Sequence, residues 1–370
     1  MSLRILTVVG ARPQFIKAAA VSRELRQEHR EIIVHTGQHY DDNMSRIFFA
    51  ELGIPEPDYN LNIGSAEHGA QTGAMLAGIE AIIQKERPDL VLVYGDTNST
   101  LAGALAAAKL HVLVAHVEAG LRSFNRRMPE EINRVLTDHV SDLLFCPSQT
   151  AVTNLKSEGI AAGVHLVGDV MHDALLFASG RAEGKSSVLQ TLGLRPGNFL
   201  LATVHRAENT DDPARLRGIV SALRALSQEE TVVFSVHPRT RKRLGAWASE
   251  GVAGRLLLIE PVGYLDMVML EKSARMILTD SGGIQKEAYW LRVPCLTLRD
   301  ETEWVETVAT GWNRLAGADE GAIVAAARSL ARPSGHPDLY GDGKAAGLCR
   351  SLLTLPGPAR SPQRTPCTSS

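Results

Sequence analysis

The sequence predicts an α/β protein of two doubly wound lobes with a central cleft. Three observations predict it. Short apolar runs alternate with helical stretches along nearly the whole chain, which is the pattern of a wound parallel sheet. The alternation occurs twice, on either side of a polar stretch at 180–198 broken by Gly and Pro. At 370 residues the chain is also longer than most single cores can organise.

In chain order, 3–9 (LRILTVV) reads as a strand ended by Gly10, and Pro13 suits the first turn of a helix running to about His29. EIIVHTGQH gives a second strand and NMSRIFFAELG a short helix stopped at Gly53, followed by a Pro-, Asn- and Asp-rich loop over 54–68. A helix over 69–85 leads to Leu90–Val93 and Val112–Val117, unbroken apolar runs that read as buried parallel strands. A helix opening near Glu130–Glu131 runs to about Ser141. Then come the strand LLFCPS, the helix TAVTNLKSEG and the strand VHLVGD. The second series begins at FLLATVHR, with Asp212 and Pro213 as N-cap and first residue of a helix to about Leu226. TVVFSVHP, a basic helix, LLLIEPVGY, ARMILTDSGG, a helix from Ile284 and the strand PCLTLRD complete it. The expected division is 1–180 and 181–338 for the lobes, 339–355 for a last helix, and 356–370 for a disordered tail.

Composition excludes several classes of partner. A net charge of −2 and a pI near 6.6 give no basis for bulk attraction to nucleic acid or a membrane surface. The cysteines at 146, 295, 349 and 367 form no C-x-x-C pair, against a disulfide framework or a zinc site. Histidines 35, 39, 116 and 139 lack metal-ligand spacing with any acid, so no metal is expected. The run Ile5–Val9 is too short for a signal segment, and no run reaches the ~18 apolar residues of a membrane span. A cytoplasmic protein is the expectation.

The chemistry concentrates in Leu90–Arg134. Asp96 and Glu118 each follow a predicted strand, and Glu130–Glu131 opens the next helix. Ligands of wound sheets sit beyond the carboxyl ends of strands. Helix capping is the competing account of Asp96. In the second lobe, TDSGGIQKEA follows an apolar strand and opens a helix. Ser281, Gly282 and Gly283 would let a hydroxyl and backbone N–H groups approach an anion there. Arg12 and Lys17 in GARPQFIKAA form another place for phosphate oxygens, with a solvated helix face as the alternative for Lys17. His205–Arg206 and His237 also follow strands. The stretch is not G-x-S-x-G, and Gly341–Ala346, which formally fits G-x-G-x-x-A, follows a polar loop and is set aside as a dinucleotide signature. Phosphate donors on both lobes and carboxylates on one suit proton abstraction beside a diphosphate leaving group.

In this order, GARPQFIK, HTGQH, GDTNSTLAG, HVEAGLRS, MPEEINR, TVHRAEN, VHPRT and TDSGGIQKEA resemble the non-hydrolysing UDP-N-acetylglucosamine 2-epimerases over about residues 3–355. The resemblance implies two Rossmann-like lobes of the glycosyltransferase-B type, with a C-terminal helix near Lys344–Leu353 returning to the first lobe. It implies cofactor-free interconversion of UDP-GlcNAc and UDP-ManNAc by elimination of UDP to a 2-acetamidoglucal and re-addition, and it suggests a homodimer. Carried over by motif, Asp96, Glu118, Glu130 and His205 match the catalytic residues. Arg12, His205, Ser281, Gly282 and Gly283 match the diphosphate contacts and Glu287 the ribose contact. Lys17 and Arg206 are added as diphosphate candidates, and Gln38, His39, Arg122, Arg134, His237 and Arg299 as sugar or second-site candidates.

Two departures narrow this. Many bacterial members have an Arg before the Gln-Thr that is Gln71-Thr72 here, and it helps hold an activating second UDP-GlcNAc. This chain has Ala70. The wording around HTGQH, GDTNS and PEEINR is closest to a branch acting on UDP-2,3-diacetamido-2,3-dideoxyglucuronic acid, whose carboxylate Arg126, Arg127 or Arg299 would meet. A hydrolysing epimerase and a non-catalytic UDP-sugar binding protein are the further alternatives.

Overall fold

The computed structural model describes residues 2–37, 53–245 and 255–354. The expected short helix over 43–53, except Gly53, and the tail over 356–370 lie outside these residues. The chain forms two compact units, 1–174 with 340–370, and 175–339.

In the first unit, strands and helices alternate as β1 (Arg4–Val9), α1 (Arg12–Leu25), β2 (Arg30–His35), β3 (Tyr59–Asn60), α2 (His68–Glu86), β4 (Leu90–Tyr94), α3 (Asn98–Lys109), β5 (Leu113–Val117), α4 (Pro129–Val140), β6 (Leu143–Cys146), α5 (Gln149–Ser157) and β7 (Val164–Leu166). The strands form one parallel sheet in the order β3-β2-β1-β4-β5-β6-β7. Strands β4 and β5 are buried at every residue but Leu113 because helices cover both faces. One face packs Leu6, Val8, Val91, Val93 and Val114 against Met75, Ile79 and Ile83 of α2 and the alanines of α3.

Helix α6 (Val170–Lys185) carries the boundary between units, which falls ahead of the Gly- and Pro-broken 180–198 stretch. The second unit continues with α7 (Val188–Thr191), β8 (Phe199–Val204), α8 (Ala207–Thr210), α9 (Pro213–Ser227), β9 (Thr231–Val236), α10 (Pro238–Leu244), β10 (Leu256–Ile259), α11 (Tyr264–Ser273), β11 (Met276–Thr279), α12 (Gly282–Trp290), β12 (Cys295–Thr297), α13 (Val305–Ala309), β13 (Asn313–Leu315) and α14 (Glu320–Ser329). Its parallel sheet runs β10-β9-β8-β11-β12-β13. Asp212 caps α9 by accepting the N–H groups of Ala214 and Arg215, as the D-P pair predicted. The final helix, α15 (Ala345–Thr354), belongs to the first unit and packs on α1.

Each sheet reverses its winding once, between β1 and β4 and between β8 and β11. A crevice for ligands opens at such switch points, where neighbouring connections leave in opposite directions. Asp96 follows β4, while His205 and Ser281 follow β8 and β11.

Candidate active site

In the first unit the turn after β4 carries Asp96, but Asp96 is not a helix cap. Thr97 holds that position, accepting the N–H of Thr100, whose hydroxyl in turn accepts the N–H of Thr97. The Asp96 carboxylate is therefore left to meet the guanidinium of Arg134 from α4. Asn133 donates from Nδ2 to the main-chain oxygen of Asp96 (3.0 Å) and to Oδ1 of Asn98 (3.1 Å), tying the turn to α3 and α4. Desolvation by surrounding protein raises the Asp96 pKa above the ordinary value, and the Glu118 charge adds to this against the pull of Arg134 and Lys17.

Glu118 lies one residue past β5 with φ +73, a left-handed conformation uncommon for a residue with a side chain. Backbone outliers of this kind gather at functional sites. Its carboxylate is paired with the ammonium of Lys17, and both side chains are nearly buried. Lys17 is thus neither part of a solvated face nor turned to open solvent. Gly95, at φ +62, makes room for this pair. A Cβ there would stand 3.3 Å from both Glu118 Oε2 and Lys17 Nζ.

The two acids that open α4 have separate fates. Glu130 is exposed. Glu131 is buried and accepts the N–H and hydroxyl of Ser123, the N–H of Phe124 and an N–H of Arg134, each at 2.9 Å. Burial pushes the Glu131 pKa up, but those donors outweigh it and leave it below the ordinary value. Arg122, a sugar-contact candidate from sequence, is turned inward instead. Its guanidinium spans Asp138 (2.7 Å) and Glu158 (2.6 and 2.8 Å), so its planar fork is already matched by protein carboxylates. Gln71 is buried against Asn98 (2.8 Å), and Ala70 beside it is exposed. Gln38 and His39 lie outside the described residues, and of Arg12 only the backbone, at the start of α1, is described.

In the second unit, the fully buried Asp280 after β11 organises the end of β8. It accepts the N–H groups of His205 and Arg206 (both 3.0 Å) and Nδ2 of Asn209 (3.1 Å), and its Oδ1 is 3.5 Å from His205 Nδ1. The rings of His205 and His237 lie 5.7 Å apart by centroid, and His237 caps α10 by accepting the N–H of Arg239. Ser281 caps α12 through the N–H of Ile284, and Gly282 and Gly283 form the first helical positions. The first N–H groups of a helix lack intrahelical partners and carry the positive end of its dipole.

A carboxylate stands beside that end. A Cβ on Gly282 would lie 2.6 Å from Glu303 Oε1, and Glu303 is held by Arg299 (2.9 Å) with Arg206 3.7 Å away. Burial raises the Glu303 pKa, yet Arg299 and Arg206 help bring it below the ordinary value. Arg299, a sugar candidate from sequence, is buried in this pairing. Glu287 is buried on α12, accepting the hydroxyl of Tyr264 at 3.1 Å. Among the described residues no group of three or more His, Cys, Asp or Glu is placed to hold a metal ion.

Sequence reasoning missed Asn133, Asp138, Asp280 and Glu303. Asn133 and Asp280 stand inside the motifs MPEEINR and TDSGGIQKEA, so the signal was present. Their partners, 37 and 75 residues away, were not legible from spacing.

The family model described as UDP-N-acetylglucosamine 2-epimerase matches residues 23–354. A UDP-N-acetylglucosamine 2-epimerase homolog of Methanococcus maripaludis is 59% identical, over 87% of this chain and 91% of its own. The UDP-2,3-diacetamido-2,3-dideoxy-D-glucuronate 2-epimerase of Pseudomonas aeruginosa is 54% identical, over 95% and 99%. The crystal structure of Methanocaldococcus jannaschii UDP-GlcNAc 2-epimerase in complex with UDP-GlcNAc and UDP matches with a TM-score of 0.86 at 46% identity, covering 96% of this chain and 99% of that one. Two parallel sheets wound with helices and these identities together make the chain a member of the UDP-N-acetylglucosamine 2-epimerase family.

Proposed function

We propose that the protein interconverts UDP-GlcNAc and UDP-ManNAc without a cofactor. A base removes the C2 proton, the C2–H electron pair becomes the C1=C2 bond, and the C1–O bond breaks to release UDP. The 2-acetamidoglucal then takes a proton at C2 on the opposite face while a UDP oxygen re-adds at C1. The observation that carries this reading is the pair of strand-end carboxylates, Asp96 and Glu118, each held by one cation, Arg134 and Lys17. In this reading Asp96, Glu118 and Glu130 handle the protons. A base with a raised pKa suits a weakly acidic C2–H, which supports Asp96 in that role.

The diphosphate is assigned to Arg12, His205, Arg206, Ser281, Gly282 and Gly283, and the ribose hydroxyls to Glu287. Helix N–H groups aimed at the leaving diphosphate favour the charge that develops there. The protein is further proposed to be a cytoplasmic homodimer. No helix among the described residues is long and apolar enough to cross a membrane.

A second reading keeps the chemistry and changes the sugar to UDP-2,3-diacetamido-2,3-dideoxyglucuronic acid. The 54% identity to the Pseudomonas enzyme of that name favours it, and Arg126 and Arg127 are exposed and able to meet a uronate. The test is to offer both UDP-sugars side by side and follow products by chromatography. Conversion of UDP-GlcNAc to UDP-ManNAc supports the first reading and turnover of the uronate alone supports the second. Free ManNAc with UDP, and no UDP-ManNAc, would indicate a hydrolysing enzyme and contradict both.

A further inference from the structure

His116 occupies the middle of the sheet, paired with Val93 of β4 on one side and Leu144 of β6 on the other, and it is fully buried. The mechanism proposed above gives it no part. Its ring nonetheless touches what carries the carboxylates. Nε2 lies 2.7 Å from the carbonyl oxygen of Gly95, the residue before Asp96. Nδ1 lies 2.7 Å from Oδ1 of Asp138 on α4, the helix that also carries Glu130 and Arg134. The ring itself sits two residues before Glu118.

Hydrogen-bond geometry determines its protonation. A carbonyl oxygen only accepts, so Nε2 must carry a proton. Asp138 accepts from Arg122 (2.7 Å) and from the N–H of Gly120 (3.1 Å) as well as facing the ring. The Arg122 guanidinium and the Gly120 N–H on Oδ2 favour the ionised carboxylate, so Nδ1 must donate too. A neutral ring would place a lone pair against an acceptor at one end or the other, whichever tautomer it took. Two other groups stand near this site, Glu158 beyond Arg122 and the Cys146 thiol of β6, whose pKa burial pushes up to about 12 and which is therefore neutral.

We infer that His116 is a buried imidazolium acting as the positioning residue that fixes the Gly95–Asp96 turn relative to Glu118, with Asp138 as the anion that keeps it charged. The inference rests on the carboxylate roles of the proposed function. Gly95 is gripped at both ends of its peptide frame, since its N–H donates to the carbonyl of Val117 at 3.0 Å while its carbonyl takes the charged ring. One imidazolium therefore joins the three elements that supply Asp96, Glu118 and Glu130. Hydrogen bonds from a charged donor are about twice as strong as neutral ones, which suits a turn held in a left-handed conformation.

Nitrogen-edited NMR of the full-length wild type tests the charge, and kinetics of variants test the role. In the wild type near pH 7.5, both ring nitrogens of His116 are expected to carry a proton, since each faces an acceptor at 2.7 Å. Asp138→Asn keeps the shape and allows a neutral ring to accept from the amide, so one ring proton should be lost while the fold stays intact. Asp138→Asn and His116→Asn should each lower kcat at least ~10-fold with KM within about twofold, because misplacing a reacting group by ~1 Å can cost ~100-fold. A single ring proton in the wild type near pH 7.5 would overturn the inference. So would folded variants, verified by thermal melts, that turn over at the wild-type kcat. Absence of epimerisation by the wild type would instead overturn the proposed function, while the NMR result would still decide the state of the ring.

Discussion

Lys17, in the second turn of α1, places its ammonium on Oε2 of Glu118, one residue past the end of β5. Both side chains are nearly buried, at 9% and 10% exposure, so neither charge has water to fall back on. Removing one partner of such a pair leaves the other charge uncompensated, at roughly 3–5 kcal/mol. Lys17→Met is expected to lower stability by about that amount in urea unfolding and to slow epimerisation, while Lys17→Arg should retain more of both. A Lys17→Met protein as stable and active as wild type would show that the pair does not matter.

Asp96 should show its raised pKa in the rate. As the acting base it works ionised, and protonation removes it as pH falls through its folded-state pKa. Since desolvation lifts that pKa, kcat/KM should decline on the acid side at a pH above the ordinary aspartate value of about 4. Asp96→Asn is expected to cost ~100-fold or more in kcat, the usual worth of a general base. Isothermal titration should find UDP binding little changed, because Asp96 is not among the residues assigned to the diphosphate.

Gly282→Ala tests the anion grip. The added methyl would collide with Glu303 Oε1 at 2.6 Å and approach Trp304 Nε1 to 3.2 Å. Glu303 is the end of a flexible side chain and can swing aside, so folding should survive. The helix start would be narrowed, and UDP affinity is expected to fall roughly 10- to 100-fold, the worth of one hydrogen bond to a charged group at ~1.5–3 kcal/mol. Calorimetric titration of UDP against the variant reads this directly.

Much of this arrangement is legible in the sequence. The strands bearing chemistry are mainly apolar runs with Gly95, Glu118, His205 or Asp280 just beyond them, and they alternate regularly with helices. Two edge strands escaped for a physical reason. Tyr59–Asn60 and Asn313–Leu315 hold two and three residues, too few for periodicity to register. Candidate acids were legible as types at strand ends, but their partners were not, because Lys17 and Glu118 are 101 residues apart. Capping was the lesser account of Asp96, and Thr97 holds that place. His116 was weighed only as a metal ligand, because its partners Gly95 and Asp138 lie 21 and 22 residues away.

Asp173 of α6 gives a prediction about stability. It accepts the N–H groups of Ala345 and Ala346 at the start of α15, at 3.1 and 2.9 Å. Burial raises its pKa to about 6 despite those bonds. Between the unfolded value near 4 and the folded value the native state binds the extra proton, so this group's contribution to stability rises as pH falls. Above the folded value both states are ionised and the contribution is flat. Asp173→Asn should remove that slope, seen as a wild-type-minus-variant difference in urea midpoints that changes between about pH 7.5 and about pH 4.5.

The proposed mechanism requires proton exchange at C2 during reversible loss of UDP. The most direct measurement is to incubate the protein with its UDP-sugar in heavy water and examine both epimers by proton NMR and mass spectrometry. Deuterium at C2 of the product epimer, and its progressive appearance in recovered substrate, is the expected result. Epimerised product that retains its original C2 proton would contradict the account.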